Sequence, residues 1–178
     1  MKWLKAGVPP VCISVNFTAR QFQQERAVSK VKEAIARTGI DPRYLEIEVT
    51  ERTIMYNSKR VIDTLHELKA LGVSLSIDDF GIGYSSIGYL KQFPIDTIKI
   101  DISFIKEIIT SEQSATIVSA IINLSHNLGF KVLAEGVETA QQLDFLRAHG
   151  CDEMQGHYFS WAVPPEAFAE IMRSGRHL

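Results

Sequence analysis

The sequence of 178 residues lacks several features that mark particular protein classes. It contains two cysteines, Cys12 and Cys151, which are too few and too far apart for a disulfide framework, so both are predicted to be reduced thiols. No apolar run approaches the ~20 residues that cross a bilayer. The first residues also lack an apolar segment followed by a small-residue cleavage site. We therefore expect a cytoplasmic protein without a membrane span in this chain.

The net charge is small, and recognisable ligand-binding motifs are few. The net charge is −2 with both signs scattered along the chain, which argues against a nucleic acid polymer as partner. The five histidines show no metal-ligand spacing. Neither the full dinucleotide fingerprint nor a phosphate-binding Gly-Lys-Ser/Thr motif occurs. With 46% hydrophobic and 22% charged residues, the composition is that of one globular domain with a substantial core.

What the sequence does contain is an alternation of strand and helix patterns. Apolar periodicity predicts four helices, each with one apolar face. The side chains that share a face are Val28, Val31 and Ile35 in the first helix, Val61, Leu65 and Leu68 in the second, Ile117, Ile121, Leu124 and Leu128 in the third, and Leu143 and Leu146 in the fourth. A shorter helix is predicted over 85–91. Short runs rich in Val and Ile predict six strands at 11–15, 45–49, 73–77, 97–100, 131–134 and, more weakly, 153–159.

Glycines lie between several helical patterns and the strands that follow them. Gly39, Gly72, Gly129 and Gly150 each follow a helical pattern shortly before the next strand, where glycine ends a helix at little cost. Successive strands begin every 20 to 35 residues, the length of a βα unit. The fold class is therefore α/β with a largely parallel sheet, and periodicity alone leaves open whether the sheet is doubly wound or closes as a (β/α) barrel.

Polar side chains gather where the predicted strands end. Because these ends meet on one face of a parallel α/β fold, ligands bind there. Each residue also has a local explanation: Asn16 could start a turn, an aspartate could cap a helix, and Lys99 could pair with Asp101. Six coinciding local explanations are much less plausible than one shared site. The residues concerned are Asn16, Glu46, Glu48, Glu51, Asp78, Asp79, Lys99, Asp101, Glu135 and Gln155.

The chemistry of this set suggests a metal site that catalyses a reaction at a phosphate group. Mg²⁺ and Mn²⁺ take oxygen ligands, and two ions ~3.5–4 Å apart promote in-line phosphoryl displacement. Lys99 could orient a water or neutralise charge on the phosphate, and Glu135 could act as ligand or general base. The segment 79–86 adds a Gly-x-Gly turn and two serines that could cap a following helix, which alone is a weak signal.

Longer motifs resemble the EAL domain, the bacterial phosphodiesterase that hydrolyses cyclic di-GMP to pGpG. The resemblance covers nearly the whole chain in the correct order. The motifs that carry it are Asp78-Asp79-Phe80-Gly81-x-Gly83-Tyr84-Ser85-Ser86, Ile98-Lys99-Ile100-Asp101, Ala134-Glu135-Gly136-Val137-Glu138-Thr139, Val15-Asn16-Phe17-Thr18-Ala19-Arg20-Gln21, Glu46-Ile47-Glu48-Val49-Thr50-Glu51, and Gly150-Cys151-Asp152 leading into Gln155-Gly156.

The resemblance implies a TIM-like barrel with one antiparallel strand, two Mg²⁺ or Mn²⁺ ions, and roles for individual residues. It implies catalysis by Lys99, Glu135 and Gln155, and coupling of metal binding to dimerisation by the loop Phe80, Gly81, Gly83, Ser85 and Ser86, with Glu138 as anchor. The implied metal ligands are Asn16, Glu48, Asp78, Asp79 and Glu135. The implied substrate contacts are Asp101, Gln155, Phe159 and Pro164.

Two departures from the family pattern change the expectation. Ile82 replaces the usual threonine of the loop, which puts anchoring of the loop in question. No Glu-Ala-Leu occurs, although the family is named for it and its Glu is a metal ligand; a substrate-contacting Arg near it is also missing. We therefore expect one EAL-type domain over 1–178 without its N-terminal strands, with six of about eight strands and weakened metal binding.

Three readings follow for the function. The first is a cyclic di-GMP phosphodiesterase with impaired activity in this chain, since a misplaced water can cost ~10²-fold in rate. The second is an inactive EAL-like module that binds cyclic di-GMP or a protein. The third, an unrelated metal-dependent barrel such as an aldolase or enolase, fits the acidic strand ends but not the long motifs. An open barrel also predicts a homodimer or another partner over its free strand edges.

Overall fold

The strands form one sheet in which sequence neighbours are spatial neighbours. The structure is a computed structural model that describes residues 3, 7–22, 24, 26–55, 58–83 and 87–174. All five strand pairings in this part of the chain are parallel, in the order β1 to β6. The strands are β1 (Ile13–Asn16), β2 (Leu45–Thr50), β3 (Ser74–Phe80), β4 (Thr97–Ile100), β5 (Lys131–Glu135) and β6 (Glu153–Gln155).

Helices connect the strands, as parallel pairing requires. They are α1 (Ala19–Phe22), α2 (Ala27–Thr38), α3 (Glu51–Met55), α4 (Ser58–Ala70), α5 (Ile87–Leu90), α6 (Ile102–Glu107), α7 (Glu112–Asn127), α8 (Ala140–Ala148) and α9 (Pro165–Arg173), with a 3₁₀ turn at Pro42–Tyr44. Among the described residues no helix has the length and apolar character needed to cross a membrane.

The predicted helix faces pack against the sheet. Each pattern contributes buried or half-buried side chains to one core between helices and strands, and β4, at the centre, is buried at all four positions. Burial of such side chains is the main force that holds the layers together. The largest fully buried side chains are Ile47, Ile54, Leu65, Leu68, Leu75, Ile77, Leu90, Ile98, Ile100, Ile105, Ile122 and Leu146.

The sheet curls toward a barrel. In a flat sheet of six strands, the edges would lie about 24 Å apart at ~4.8 Å per neighbour. Instead Glu153, at the start of β6, is close enough to Cys12, just before β1, for its charge to help raise the pKa of that thiol, after the larger effects of burial and Glu46. The architecture is therefore an incomplete TIM-like barrel, which confirms the predicted fold class and decides between the two α/β alternatives.

Several predicted boundaries were wrong in detail. The last strand ends at Gln155 rather than residue 159, because the chain turns at Gly156, whose carbonyl accepts from the Phe159 N–H at 3.1 Å. β3 continues to Phe80, so the paired aspartates lie inside the strand. The implied antiparallel strand is not among the described strands. The predicted helix over 85–91 is Ile87–Leu90, and residues 85 and 86 lie outside the described part.

Candidate functional site

The centre of the candidate site is an ammonium group surrounded by three carboxylates. Lys99 Nζ on β4 lies 2.9 Å from Glu48 Oε1, 2.5 Å from Glu135 Oε1 and 3.6 Å from Asp78 Oδ1. These acids come from β2, β5 and β3, so four neighbouring strands converge on one point. Lys99 and Glu48 are buried, and Asp78 and Glu135 are half-buried. A charge cluster this far from water requires close pairing to persist.

Strand register explains how Lys99 reaches an acid two strands away. Glu48 is the Cα partner of Ser76 on β3, and Ser76 is in turn the partner of Thr97 on β4. Lys99 follows Thr97 by two residues and therefore faces the same side of the sheet. Ser76 has a small side chain, which leaves room for the lysine to cross β3. Its hydroxyl is fully buried and has no hydrogen-bond partner within the described residues.

The cluster perturbs the protonation of its members. Burial would lower the pKa of Lys99, but hydrogen bonds to Glu135 and Glu48 outweigh burial and raise it, so the lysine stays charged. Burial raises the pKa of Glu135 above its ordinary value, although Lys99 opposes the shift. One cation faces three acids, so the cluster keeps surplus negative charge when its acids are ionised.

A backbone irregularity places two adjacent aspartates at this rim. The register between β3 and β4 shifts between Ile77 and Phe80, and Asp79 has a φ of 55°, the one non-glycine positive φ in the described chain. The Asp79 N–H donates to Asp78 Oδ1 at 3.0 Å. Burial, Asp78 and then Asp101 raise the pKa of Asp79. The local conformation thus brings neighbouring carboxylates together instead of sending them to opposite faces.

Asp101 lies at the end of β4 and begins the next helix. Its Oδ1 accepts from the Ser103 N–H at 2.7 Å, which makes it the N-cap of α6. The local explanation for this aspartate therefore holds in the structure, alongside its contact with Asp79. Lys99 pairs across the sheet rather than with Asp101, so the local explanation for the lysine was wrong.

The loop after β3 is fixed by its backbone. Phe80 is buried, and Glu51 Oε2 accepts from the N–H groups of Gly81 at 3.0 Å and Gly83 at 3.3 Å. A Cβ at Gly83 would lie 2.8 Å from Glu51 Oε1, so the close approach depends on glycine. Ile82 points outward and is 62% exposed. Loss of a hydroxyl at position 82 therefore leaves these two hydrogen bonds intact.

Glu138, the residue expected to anchor this loop, lies elsewhere. Its Oε1 is 3.8 Å from His157 Nδ1, and its N–H donates to Gln142 Oε1 at 2.7 Å. Within the described residues, the N–H groups of Gly81 and Gly83 donate to Glu51, and the anchoring role of Glu138 stays a prediction. The predicted loop residues Ser85 and Ser86 lie outside the described part of the chain.

Glu51 was predicted as one of the strand-end acids, but its contact with the glycine loop was not. It is 2% exposed and begins α3 directly after β2. The available signal was an acidic side chain at a strand end beside the candidate ligands. The hydrogen-bond donors to Glu51 could not be predicted from spacing, because the two glycines follow 30 and 32 residues later in the sequence.

Two further candidates stand on the edge strands. Asn16 ends β1, is exposed, and is the Cα partner of Glu48. Gln155 ends β6, is exposed, and is the Cα partner of Glu135. Both therefore belong to the same rim as the central cluster, but no side-chain hydrogen bond within the described residues ties either to it.

The predicted substrate contacts continue from Gln155. Phe159 is half-buried against the core and lines a cavity of about 820 Å³ together with Glu135 and Gln155. Pro164 is exposed at the start of α9 and is not among the residues that line this cavity. The cavity is large enough for a substantial small molecule.

The donor set fits a hard divalent cation in its chemistry. In the described chain no group of three His, Cys, Asp or Glu side chains stands in metal-ligating geometry, and the Lys99 ammonium group lies among three of the acids. The oxygen atoms of Asn16, Glu48, Asp78, Asp79 and Glu135 are nevertheless the ligand type that Mg²⁺ and Mn²⁺ prefer. Their surplus negative charge favours a divalent cation at this rim.

Comparisons of the whole chain with known proteins converge on one family. A family model described as the EAL domain matches residues 1–162. The cyclic di-GMP phosphodiesterase NbdA of Pseudomonas aeruginosa is 44% identical over 171 residues, 96% of this chain and 22% of NbdA. The Bacillus subtilis signaling protein YkoW is 45% identical over 163 residues, 90% of this chain and 20% of YkoW. The chain thus spans about a fifth of the length of these curated relatives.

Solved structures show the same likeness. The PaMucR phosphodiesterase in its c-di-GMP complex superposes with a TM-score of 0.90 at 42% identity, covering 94% of this chain and 68% of that one. A manganese and cy-diGMP complex of Klebsiella pneumoniae BlrP1 superposes with a TM-score of 0.79 at 30% identity, covering 89% and 41%. Within this group, divalent metal and cyclic di-GMP occur together in a relative of the same fold.

Proposed function

The chain belongs to the EAL domain family, and we propose that it serves as the phosphodiesterase domain of a cytoplasmic signalling protein. The reaction proposed is metal-dependent hydrolysis of cyclic di-GMP to pGpG. One observation carries the proposal: Lys99, Glu48, Asp78 and Glu135 converge on one point at the rim of the barrel. The names of the relatives, which include a cyclic di-GMP phosphodiesterase, support the substrate.

Asn16, Glu48, Asp78, Asp79 and Glu135 would hold the metal ions. Bound Mg²⁺ or Mn²⁺ supplies Lewis-acid stabilisation of the phosphoryl oxygens. The finer choice between the two metals is part of the proposal. Asp79, held in its positive-φ conformation, supplies the second of two adjacent carboxylates.

Residues of the chain itself would orient the attacking water and the phosphate and accept a proton from that water. Lys99 remains charged because its pKa is raised, so it can donate to a phosphate oxygen or orient the attacking water. Burial raises the pKa of Glu135, which brings this carboxylate closer to the range where it accepts a proton from water efficiently. Gln155, its Cα partner on β6, can contact the same water or the substrate.

A second candidate function is binding without hydrolysis. The observation in its favour is that no Glu-Ala-Leu occurs in the 178 residues, so the ligand set within this chain is one glutamate short of the family pattern. We propose that this chain by itself hydrolyses cyclic di-GMP slowly. Both candidates use the same rim and the same substrate.

The experiment that separates them is an assay of the purified chain with Mg²⁺ or Mn²⁺, combined with calorimetry. Formation of pGpG that stops on addition of a chelator supports the phosphodiesterase, and metal-dependent binding of cyclic di-GMP without pGpG supports the binding module. Absence of both overturns both. Asp78→Asn should abolish either signal, whereas Asp144→Asn, an exposed acid on α8, is the matched control.

The proposal also concerns the two edge strands of the sheet, β1 and β6. Each of β1 and β6 has one strand neighbour in the described chain, which leaves backbone donors and acceptors unpaired on its other side. We propose that a second copy or another polypeptide covers these edges and that the loop 80–86 couples this contact to metal binding. Light scattering after gel filtration tests the first point, and a purely monomeric species would count against a second copy.

A further inference from the structure

The most exposed large apolar side chain in the described part of the molecule is an aromatic ring close to the candidate site. Trp161 is 69% exposed and stacks on His157, with ring centroids 3.7 Å apart and planes 17° from parallel. Because the imidazole covers one face of the indole, an exposed fraction this high requires the opposite face to be open to solvent. The structure therefore presents a flat aromatic surface with one free face.

The backbone around this ring is firmly held. Val137 N–H donates to the Gln155 carbonyl, and Tyr158 N–H donates to the Val137 carbonyl, both at 2.9 Å. A Cβ at Gly156 would collide with the Val137 backbone, so the two segments pack in direct contact. His157 Nδ1 also lies 3.8 Å from Glu138 Oε1. An indole that already stacks on His157 loses less conformational entropy on binding a ligand than an unstacked side chain would.

The Trp161 ring lies in the same cavity as two residues of the candidate site. Trp161 lines the same cavity of about 820 Å³ as Glu135 and Gln155. Glu135 contacts Lys99 at the centre of the charge cluster, so one cavity joins the phosphate-directed groups to an open aromatic face. A ligand with a phosphate at one end and a planar base at the other matches both features.

We propose that Trp161, backed by His157, is a stacking platform for a guanine base of cyclic di-GMP. The inference rests on the proposed function, because it takes the phosphate end of the ligand to lie at the cluster around Lys99. Stacking recognises the π-face of a base, so the platform adds affinity and orients the nucleotide, while discrimination among bases comes from other contacts.

The test compares the whole chain with Trp161→Ala and Trp161→Phe by calorimetry with cyclic di-GMP and Mg²⁺. Loss of one base stack is expected to raise Kd roughly 5- to 150-fold in the alanine variant. The phenylalanine variant, which keeps a smaller ring, should recover part of that loss. Ile109→Ala removes an apolar side chain that is 45% exposed and does not line the cavity, so its Kd should match that of the unaltered chain.

Fluorescence provides a second readout. The chain contains two tryptophans, so Trp3→Phe leaves Trp161 as the remaining one. Stacking of guanine on the indole should quench its emission along the same binding curve that calorimetry gives. Unchanged emission during binding, or an unchanged Kd in Trp161→Ala, overturns the platform and leaves the proposed function intact.

Two further outcomes are decisive. If the unaltered chain does not bind cyclic di-GMP with Mg²⁺ present, the proposed function fails and the platform fails with it. If Trp161→Ala converts a dimer to a monomer in light scattering while nucleotide affinity stays the same, the ring is a protein contact and the platform is wrong. Circular dichroism of each variant checks that the fold persists, as expected for so exposed a position.

Discussion

Strands β4 and β1 both carry a candidate site residue, yet they differ in burial, in the number of strand neighbours and in how that residue is paired. All four residues of β4 are buried, it has strand neighbours on both sides, and Lys99 is held by ion pairs. All four residues of β1 are exposed, it has one strand neighbour in the described chain, and Asn16 has no side-chain hydrogen bond there. The centre of the site is therefore organised by the fold itself, whereas its edge depends on whatever lies beside it.

The comparison predicts that the largest stability effect comes from the central lysine. Lys99→Met leaves the buried Glu48 and the half-buried Glu135 without their cation, and breaking such a cluster should lower the free energy of unfolding by about 3–5 kcal/mol. Asn16→Ala on β1 should change it by no more than about 0.5 kcal/mol. Urea unfolding of the metal-free chain, followed by circular dichroism, measures both, and equal losses would contradict the distinction between centre and edge.

Apolar side chains should show the same contrast. Ile98 on β4 is fully buried, and Ile98→Ala should cost about 2–5 kcal/mol because it leaves a cavity in the core. Val15 on β1 is 41% exposed, and Val15→Ala should cost within about 0.5 kcal/mol. The same unfolding experiment applies. A large effect at Val15 would contradict this distinction and would mean that the edge is covered in solution.

A pH-dependent contribution is expected beside the other edge strand. Burial raises the pKa of Asp152, but hydrogen bonds from His126 and from the Val132 N–H outweigh burial and hold it below the ordinary carboxyl value. A lowered folded-state pKa adds stability that is present above the ordinary value of about 4 and is lost as pH falls through the folded pKa. Lys99, by contrast, stays charged throughout this range.

Unfolding midpoints between pH 7 and pH 3 test this expectation. Asp152→Asn should be less stable than the unaltered chain at pH 7, and the difference should shrink as the pH falls. Asp144→Asn, on the exposed side of α8, should follow the unaltered chain at every pH. A difference for Asp152→Asn that stays constant with pH would mean that the carboxylate charge is not what matters.

The smallest effect concerns thiol reactivity at edge and core. Cys12, just before β1, is exposed, whereas Cys151 is buried and burial raises the pKa of its thiol to about 11. A thiol reagent at pH 8 should label Cys12 in the folded chain and Cys151 only after denaturation. Counting labelled thiols by mass spectrometry with and without urea checks this. Protection of Cys12 in the folded chain would show that another polypeptide covers the edge.

Much of the fold was predictable because local physics dominates it. The helix faces around Val31, Leu65 and Ile121 follow from a period of 3.6, and the four glycines that end helices have the positive φ expected of them. The strand of residues 97–100 was predicted to the residue because three of its four residues are β-branched and the run is short. The strand predicted to continue to residue 159 ends at Gln155 because the chain turns at Gly156, which packs directly on the Val137 backbone, a contact that no local pattern indicates.

The candidate site was predictable as a set of residues and not as a geometry. Carboxylates at successive strand ends indicated a shared rim, and long motifs indicated the family. They did not indicate that Lys99 reaches across β3 to Glu48, or that Glu51 accepts from two glycine N–H groups of the loop. Both contacts join residues 30 or more positions apart, and such distances depend on register and curvature rather than on spacing.

By itself, the sequence determined the α/β class, the succession of strands and helices along the chain, the family and the chemical type of the donors, because each of these is set by local pattern and side-chain chemistry. Tertiary structure decided between open sheet and barrel, the pairing of the central lysine, the left-handed conformation of Asp79 and the open face of Trp161. These features depend on how the strands are aligned and how the sheet curls. Alignment and curl are collective properties of the packed chain, so no single segment encodes them.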